Sequence, residues 1–233
     1  MRRTRIILQA RTSSQRLPAK VLLPIAGIPL ALLCAQRLAN RGREVVLATS
    51  DDPSDDILAG LAEDRNLKVH RGSLDNVAQR FLAASADMAD DDLLIRATAD
   101  NPVPDGALVE AVLADLAEAG AYVGPRCYRS PLPTGLVVEA FRLGALRQSL
   151  AGGIDAEVAE HVTPRLAAAA PRIEGAGFGP EAAVGTVRMT VDTFDDYLVA
   201  ARAFRREPAG AEAPWRALVK RFAALRGGAE ASG

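Results

Sequence analysis

The sequence predicts an α/β fold: one domain on a mainly parallel seven-stranded sheet, with helices covering both faces. Two patterns carry that prediction. Short β-branched or apolar runs alternate with Ala- and Leu-rich stretches of helical period along most of the 233 residues, which is the signature of a parallel sheet wound with helices. The first run, "TRIILQA" (4–10), is continuously apolar rather than alternating, so it reads as a strand buried on both faces.

The remaining elements follow in order. Strands are expected at 44–50 ("EVVLATS"), 67–71 ("LKVHR"), 92–98 ("DLLIRAT"), 121–124 ("AYVG"), 135–141 ("GLVVEAF") and 185–192 ("GTVRMTVD"). Helices are expected at 29–41, 54–65, 75–87, 105–119, 142–150, 155–169, 193–206 and 214–226. Several of these have start signals: Pro53-Ser54-Asp55, Pro104-Asp105 and Asp192-Thr193. The stretch 205–214 reads as a loop between the last two helices. Residues 1–226 read as a single domain, and "GGAEASG" (227–233) as a frayed tail.

Composition narrows the function. A chain of this length buries roughly 70–75% of its unfolded surface and needs no disulfide or structural metal for its core. The formal charge of −1 argues against a nucleic-acid or anionic-membrane binder, so any anion site must be local. Cys34 and Cys127 are far apart and lack metal or redox spacing, which fits reduced thiols in a cytoplasmic protein. No apolar run approaches the ~20 residues of a spanning helix, and the N-terminal stretch is too short for a secretion signal. Only three of the 28 basic residues are Lys, at positions 20, 68 and 220.

In an open α/β sheet, ligands bind beyond the carboxyl ends of the strands. Four polar segments should therefore share one rim: 11–20, 71–73, 98–102 and Asp192. The loop "LQARTSSQRLPAK" (8–20) supplies Arg11, Arg16 and Lys20, with hydroxyls at Ser13 and Ser14 and the backbone N–H groups of a folded loop. Arginine forks and a compact ammonium suit a polyphosphate, although the Walker pattern is absent. Lys20 stands out because this chain otherwise writes positive charge as Arg. Asp100 and Asp192 each have a plain alternative as helix N-caps. Taken together on the phosphate rim they make a Mg²⁺ site, Mn²⁺ being the alternative ion, since Mg²⁺ takes one or two carboxylates plus phosphate oxygens and waters. Asp90-Asp91-Asp92 lies at the opposite end and reads as a solvated turn. His70, inside a strand, reads as structural.

These residues also carry a family resemblance. "IILQARTSSQRLPAKVLLPIAGIPL", "RGSLDNVAQRF", "IRATADNPVPD", "PTGLVVEAF", "AEHVTPRL" and "MTVDTFDDY" resemble, in order, segments of the spore-coat polysaccharide, acylneuraminate and 3-deoxy-manno-octulosonate cytidylyltransferases. The resemblance implies a Rossmann-like nucleotide-diphospho-sugar transferase fold, with Arg11, Arg16 and Lys20 on the CTP triphosphate and Asp100 and Asp192 on Mg²⁺. It further implies that Ala10, Gly72 and Asn76 frame the cytosine and ribose; Ser13, Ser14 and Thr98 complete the expected nucleotide site. Where the family usually has Gly, this chain has Ser13 and Ala19. Where the family often has acids on the acceptor side, it has Thr134 and Val137, while Glu139 and His161 remain. A hydrogen-bonded structural role for His161 stands beside the acceptor role. Arg126 and Arg129 could supply bidentate donors to an anionic acceptor.

The expected reaction is attack of an anionic acceptor, a small phosphonate such as a phosphonocarboxylate or a sugar acid, on the α-phosphorus of CTP, with pyrophosphate leaving. Positioning and charge neutralisation would carry the rate. Two rivals stand beside it: a sugar-nucleotide-dependent glycosyltransferase on a similar fold, and a non-catalytic nucleotide-binding domain. The first would want an Asp-x-Asp motif, and "TADNP" supplies one acid. The oligomeric state is left open, a homodimer included.

Overall fold

The protein is described by a computed structural model covering residues 2–175, 178, 187–205 and 210–230, with backbone only for 228–230. Among the described residues one six-stranded sheet forms the centre. Its strands are β1 (Thr4–Gln9), β4 (Glu44–Ser50), β5 (Lys68–Gly72), β6 (Leu93–Thr98), β7 (Tyr122–Val123) and β8 (Glu139–Arg142), in the order β5-β4-β1-β6-β8-β7. A two-stranded hairpin, β2 (Pro24–Ile25) and β3 (Ile28–Pro29), stands apart. The helices are α1 (Leu30–Ala39), α2 (Asp56–Glu63), α3 (Val77–Ala83), α4 (Gly106–Ala119), α5 (Leu143–Leu150), α6 (Ala156–His161), α7 (Pro164–Ala169), α8 (Phe194–Ala203) and α9 (Trp215–Glu230).

β5, β4, β1 and β6 run parallel, with Ile7 in register with Val46 on one side and Arg96 on the other. Ile6, Ile7 and Leu8 are wholly buried, as the continuous apolar run requires. β8 pairs antiparallel with both β6 and β7. The chain moves outward through β1, β4 and β5, then crosses to β6 on the other side of β1. The winding therefore reverses between β1 and β6, the place where an α/β sheet opens a ligand crevice.

Three expectations are corrected. The seventh strand is not a ladder: 185 and 186 lie outside the described residues, and 187–192 makes only a bridge of Arg188 to Thr134 plus a hydrogen bond from Val191 N to Asp100 O at 2.8 Å. The expected helix 155–169 is two helices, because Val162 turns to φ 66° and Thr163 precedes Pro164, which disfavours helical backbone before it. The expected tail begins instead as the last turn of α9, with 231–233 outside the described residues. The unexpected β2–β3 hairpin turns on Ala26 and Gly27, both at positive φ (51° and 77°), the two-residue geometry that matches strand twist.

One buried charge ties the C-terminal segment to the core. Arg37 on α1 is fully buried and donates to the carbonyls of Ala213 and Val103, each at 2.6 Å. Burial pulls its guanidinium down to about 10, partly countered by Asp105. Asp92, expected in a solvated turn, is buried and accepts from the Arg3 and Ala89 backbone N–H groups.

Candidate active site

The loop after β1 is folded by its own residues and by one distant carboxylate. Ala19 N and Ser14 N both donate to Thr12 O, at 2.8 and 2.9 Å, drawing the loop into a tight arc. Asp55, 1% exposed, accepts from Thr12 N and Thr12 Oγ1 at 2.7 Å each through Oδ1, and from Ser50 N and Oγ through Oδ2. That carboxylate thus pins the loop to the end of β4. Burial raises the Asp55 carboxyl, but the Ser50 and Thr12 hydrogen bonds outweigh it and hold it below the usual carboxylate range. Ala19 sits at φ 55°, the left-handed region that favours Gly, which accounts for the glycine that the resemblance places there. Ser13 is not among the positive-φ residues, so the other departure costs no backbone freedom.

Two consequences follow for Asp55→Asn. An amide group would face either the Thr12 or the Ser50 donors, leaving buried donors unpaired at a cost of about 1–3 kcal/mol. We expect a lower Tm and a loosened loop with a raised KM for nucleotide, checked by thermal unfolding and initial rates. In the native protein the depressed Asp55 carboxyl contributes stability above its unfolded value of about 3.9. That contribution is lost as pH falls through its folded value.

Past the arc, Lys20 opens a one-turn 3₁₀ helix, 20–22, and is only 8% exposed. Its Nζ donates to Asp100 Oδ2 and to Asp192 Oδ1, both at 2.9 Å. Arg16 reaches the same Asp192 Oδ1 at 2.9 Å, while Arg188 and Thr190 hold Asp192 Oδ2. Burial raises the Asp192 carboxyl, and Lys20, Thr190 and Arg16 together pull it below the usual range. Neither acid caps a helix. Asp105 Oδ1 caps α4 through Leu108 N at 2.9 Å, and Thr193 caps α8 in a reciprocal box with Asp196. Both carboxylates are therefore left to the rim.

The cleft there measures about 540 Å³ and is lined by Gln9, Ala10, Arg11, Ser14, Gln15, Arg16, Lys20, Val21, Thr98, Ala99, Asp100, Glu160, His161 and Asp192. The expected rim residues thus converge, with some exceptions. Ser13 is exposed and outside the lining. Gly72 ends β5 against Arg80, whose Cγ would lie 3.1 Å from an added Cβ, so Gly serves close packing there. Asn76 caps α3, accepting from Gln79 N at 2.9 Å. Arg126 lines a separate groove with Arg165 and Arg172, and Arg129 pairs with exposed Glu174, so neither borders the cleft.

A second, smaller cavity of about 180 Å³ shares Thr98 with the cleft and is lined by Arg96, Asn101, Thr134, Val137, Glu139 and Thr190, among others. Its walls flank both acids: Thr98 and Asn101 bracket Asp100, and Thr190 donates to Asp192. Glu139, directly opposite Arg96 across the β6–β8 pair, binds it at 3.2 Å and accepts from Thr163 Oγ1 at 2.6 Å. Among the described residues, Arg96 Nε and Asn101 Oδ1 are buried without a partner. Asp55, Arg96 and Arg188 escape sequence reading. A hint exists for Arg96 alone, as a charge inside the otherwise apolar run of β6.

Among the described residues no three His, Cys, Asp or Glu side chains cluster as metal ligands. Asp100 and Asp192 do converge on one point, and two hard carboxylate oxygens with phosphate and water completing the shell are what Mg²⁺ accepts. The residues present fit such an ion. No described helix is long and apolar enough to cross a membrane.

Known proteins resemble this chain in sequence and in fold. The chain is 30% identical over 200 residues to the spore coat polysaccharide biosynthesis protein SpsF of Bacillus subtilis (strain 168), covering 82% of each chain. It is 34% identical over 120 residues to the 3-deoxy-manno-octulosonate cytidylyltransferase of Stenotrophomonas maltophilia (strain K279a), covering 50% of this chain and 46% of that one. Its fold matches the structure of a cytidylyltransferase from Leptospira borgpetersenii serovar Hardjo-bovis (strain JB197) with a TM-score of 0.82 at 23% identity, over 99% of this chain and 96% of that chain. The family profile for cytidylyltransferases spans residues 5–168, from β1 into α7 and so across both the basic loop and Asp100. This chain belongs to the cytidylyltransferase family and is a nucleotidyltransferase.

Proposed function

We propose that the protein transfers CMP from CTP to a small anionic acceptor and releases pyrophosphate, with Arg11, Arg16 and Lys20 on the triphosphate and Asp100 and Asp192 facing the reacting phosphorus. The observation that carries this reading is the convergence of Lys20, Arg16, Asp100 and Asp192 at the mouth of the cleft between β1 and β6. An acceptor oxyanion attacks the α-phosphorus, a new P–O bond forms, and the bond to the β-phosphate bridging oxygen breaks with its electron pair on pyrophosphate. A phosphonate acceptor, already ionised, has no proton to lose and needs no general base, whereas a sugar acid attacks through a hydroxyl whose proton passes to solvent. Lys20 and the two arginines take the charge that develops on the leaving group. A divalent ion held by Asp100 and Asp192 would neutralise phosphate charge and favour attack.

The acceptor side is the 180 Å³ cavity. A cavity of about 150 Å³ accommodates benzene, so this one suits a compact head group, a small phosphonate or the carboxylate end of a sugar acid. Arg96 Nε supplies an unused charged donor there and Asn101 Oδ1 an unused acceptor. In this reading Arg96, and not Arg126 or Arg129, meets the acceptor's anionic group.

The test is incubation of the protein with CTP, Mg²⁺ and each acceptor class in turn, followed by ³¹P NMR for CMP conjugates and by pyrophosphate release. CTP-dependent conjugate formation is expected with at least one anionic acceptor. Failure of CTP to bind at all, or sugar transfer from a nucleotide sugar instead, would reject the proposal.

A further inference from the structure

We infer that Lys20 and the divalent ion are alternative occupants of the same carboxylate oxygens, so that the ion enters only together with the triphosphate that draws the ammonium away. The inference rests on the proposed nucleotide site and assigns Lys20 a second role there, as the residue that keeps the metal position closed.

The geometry is direct. Lys20 Nζ lies 2.9 Å from Asp100 Oδ2, just past β6, and 2.9 Å from Asp192 Oδ1, in the segment before α8. An ammonium at that point and a metal ion bound by the same two oxygens exclude one another. Charge points the same way. The two carboxylates are met by three cations, Lys20, Arg16 and Arg188, so the pair is already more than neutralised. A divalent ion gains little by approaching a cluster of net positive charge in a partly desolvated site.

The bonds to Asp192 divide by oxygen. Oδ2 is held by Arg188 and Thr190, both in the segment just before it, which fixes the carboxylate's orientation. Oδ1 is held by Lys20 and by Arg16, whose guanidinium side chain is 62% exposed. These two partners belong to the phosphate loop. A triphosphate in the cleft offers them stronger partners, since charge-assisted bonds to phosphate oxygens are short and strong. Their transfer to phosphate uncovers Oδ1 of Asp192 and Oδ2 of Asp100 as the polyanion brings its own oxygens to complete a metal shell. Nucleotide and metal then bind with positive coupling, each favouring the state the other needs. Arg188 acts as a positioning residue that keeps Asp192 aimed throughout.

Mn²⁺ serves as the probe, read by electron paramagnetic resonance for free ion and by water-proton relaxation for bound ion. Wild-type protein alone should bind Mn²⁺ weakly. With an α,β-methylene analogue of CTP it should form a ternary complex whose relaxation enhancement differs from that of Mn²⁺ on the analogue alone. Lys20→Met, which keeps the stem and removes the charge, should bind Mn²⁺ without nucleotide at least about tenfold more tightly than wild type, and adding Asp192→Asn should abolish that gain. Should Lys20→Met fail to fold, the wild-type titrations with and without analogue decide alone. Equal Mn²⁺ affinity in folded Lys20→Met and wild type, or tight Mn²⁺ binding by wild type unaffected by the analogue, overturns the inference. Either result alongside intact CTP turnover leaves the cytidylyltransferase reading standing; loss of CTP binding itself would remove that reading instead.

Discussion

Lys20→Ala should lower kcat/KM by at least 10²-fold, or ~2.7 kcal/mol of transition-state stabilisation, and Arg11→Ala by a similar factor. The ammonium has three donors. Asp100 and Asp192 take two of them in the structure, and phosphate oxygens are the partners it is placed to gain. The effect is electrostatic, so the fold should survive. Asp192 keeps Arg16, Arg188 and Thr190, and far-UV CD of Lys20→Ala should match wild type. Lys20→Arg should also be impaired, because a planar fork does not replace the compact point charge of an ammonium. Near-normal turnover in a soluble, folded Lys20→Ala would remove the loop from the chemistry.

Much of this site was legible from the chain because strand ends are where an α/β sheet gathers polar residues. Once β1 and β6 were recognised by their apolar runs, the loop after one and the acid after the other had to share a rim. Lys20 was marked further by being Lys among arginines. The residues that orient this set were not legible. Asp55 reads as a helix start, and its partner Thr12 lies 43 positions away. Arg188 lies in a segment that patterns as a strand, yet its backbone bridges to a turn, which only the folded chain decides. The break at Val162-Thr163-Pro164 had a visible signal in its proline, and the Ala/Leu-rich composition on either side masked it. The two arginines expected on the acceptor side lie away from the cleft for a related reason. Arg126 and Arg129 are adjacent in sequence to the acceptor segment, but they turn to another groove and to Glu174.

Metal dependence should be complete and should reside in both Asp100 and Asp192. Activity is expected to vanish with EDTA, to return with Mg²⁺ or Mn²⁺, and to be lost in Asp100→Asn and in Asp192→Asn. An amide keeps the shape of the carboxylate and still offers one oxygen, so packing is preserved while the charge that binds a hard cation is removed. Asp192→Asn is the sharper test because Asn caps helices about as well as Asp. A merely capping Asp192 would give a silent variant. The structure assigns that cap to Thr193 and Asp196, which leaves the Asp192 carboxylate to Lys20, Arg16 and Arg188. Losing its charge also leaves three cations around a neutral amide, so modest destabilisation should accompany the loss of activity. Thermal unfolding separates the two, since lost turnover in a protein still folded at assay temperature is chemical. Raising the Mg²⁺ concentration should restore part of the rate in Asp100→Asn or Asp192→Asn, each of which keeps one carboxylate, and none in the double variant. A metal titration of Asp192→Asn indistinguishable from wild type would return Asp192 to a structural role and leave Asp100 as the sole acid facing the phosphates.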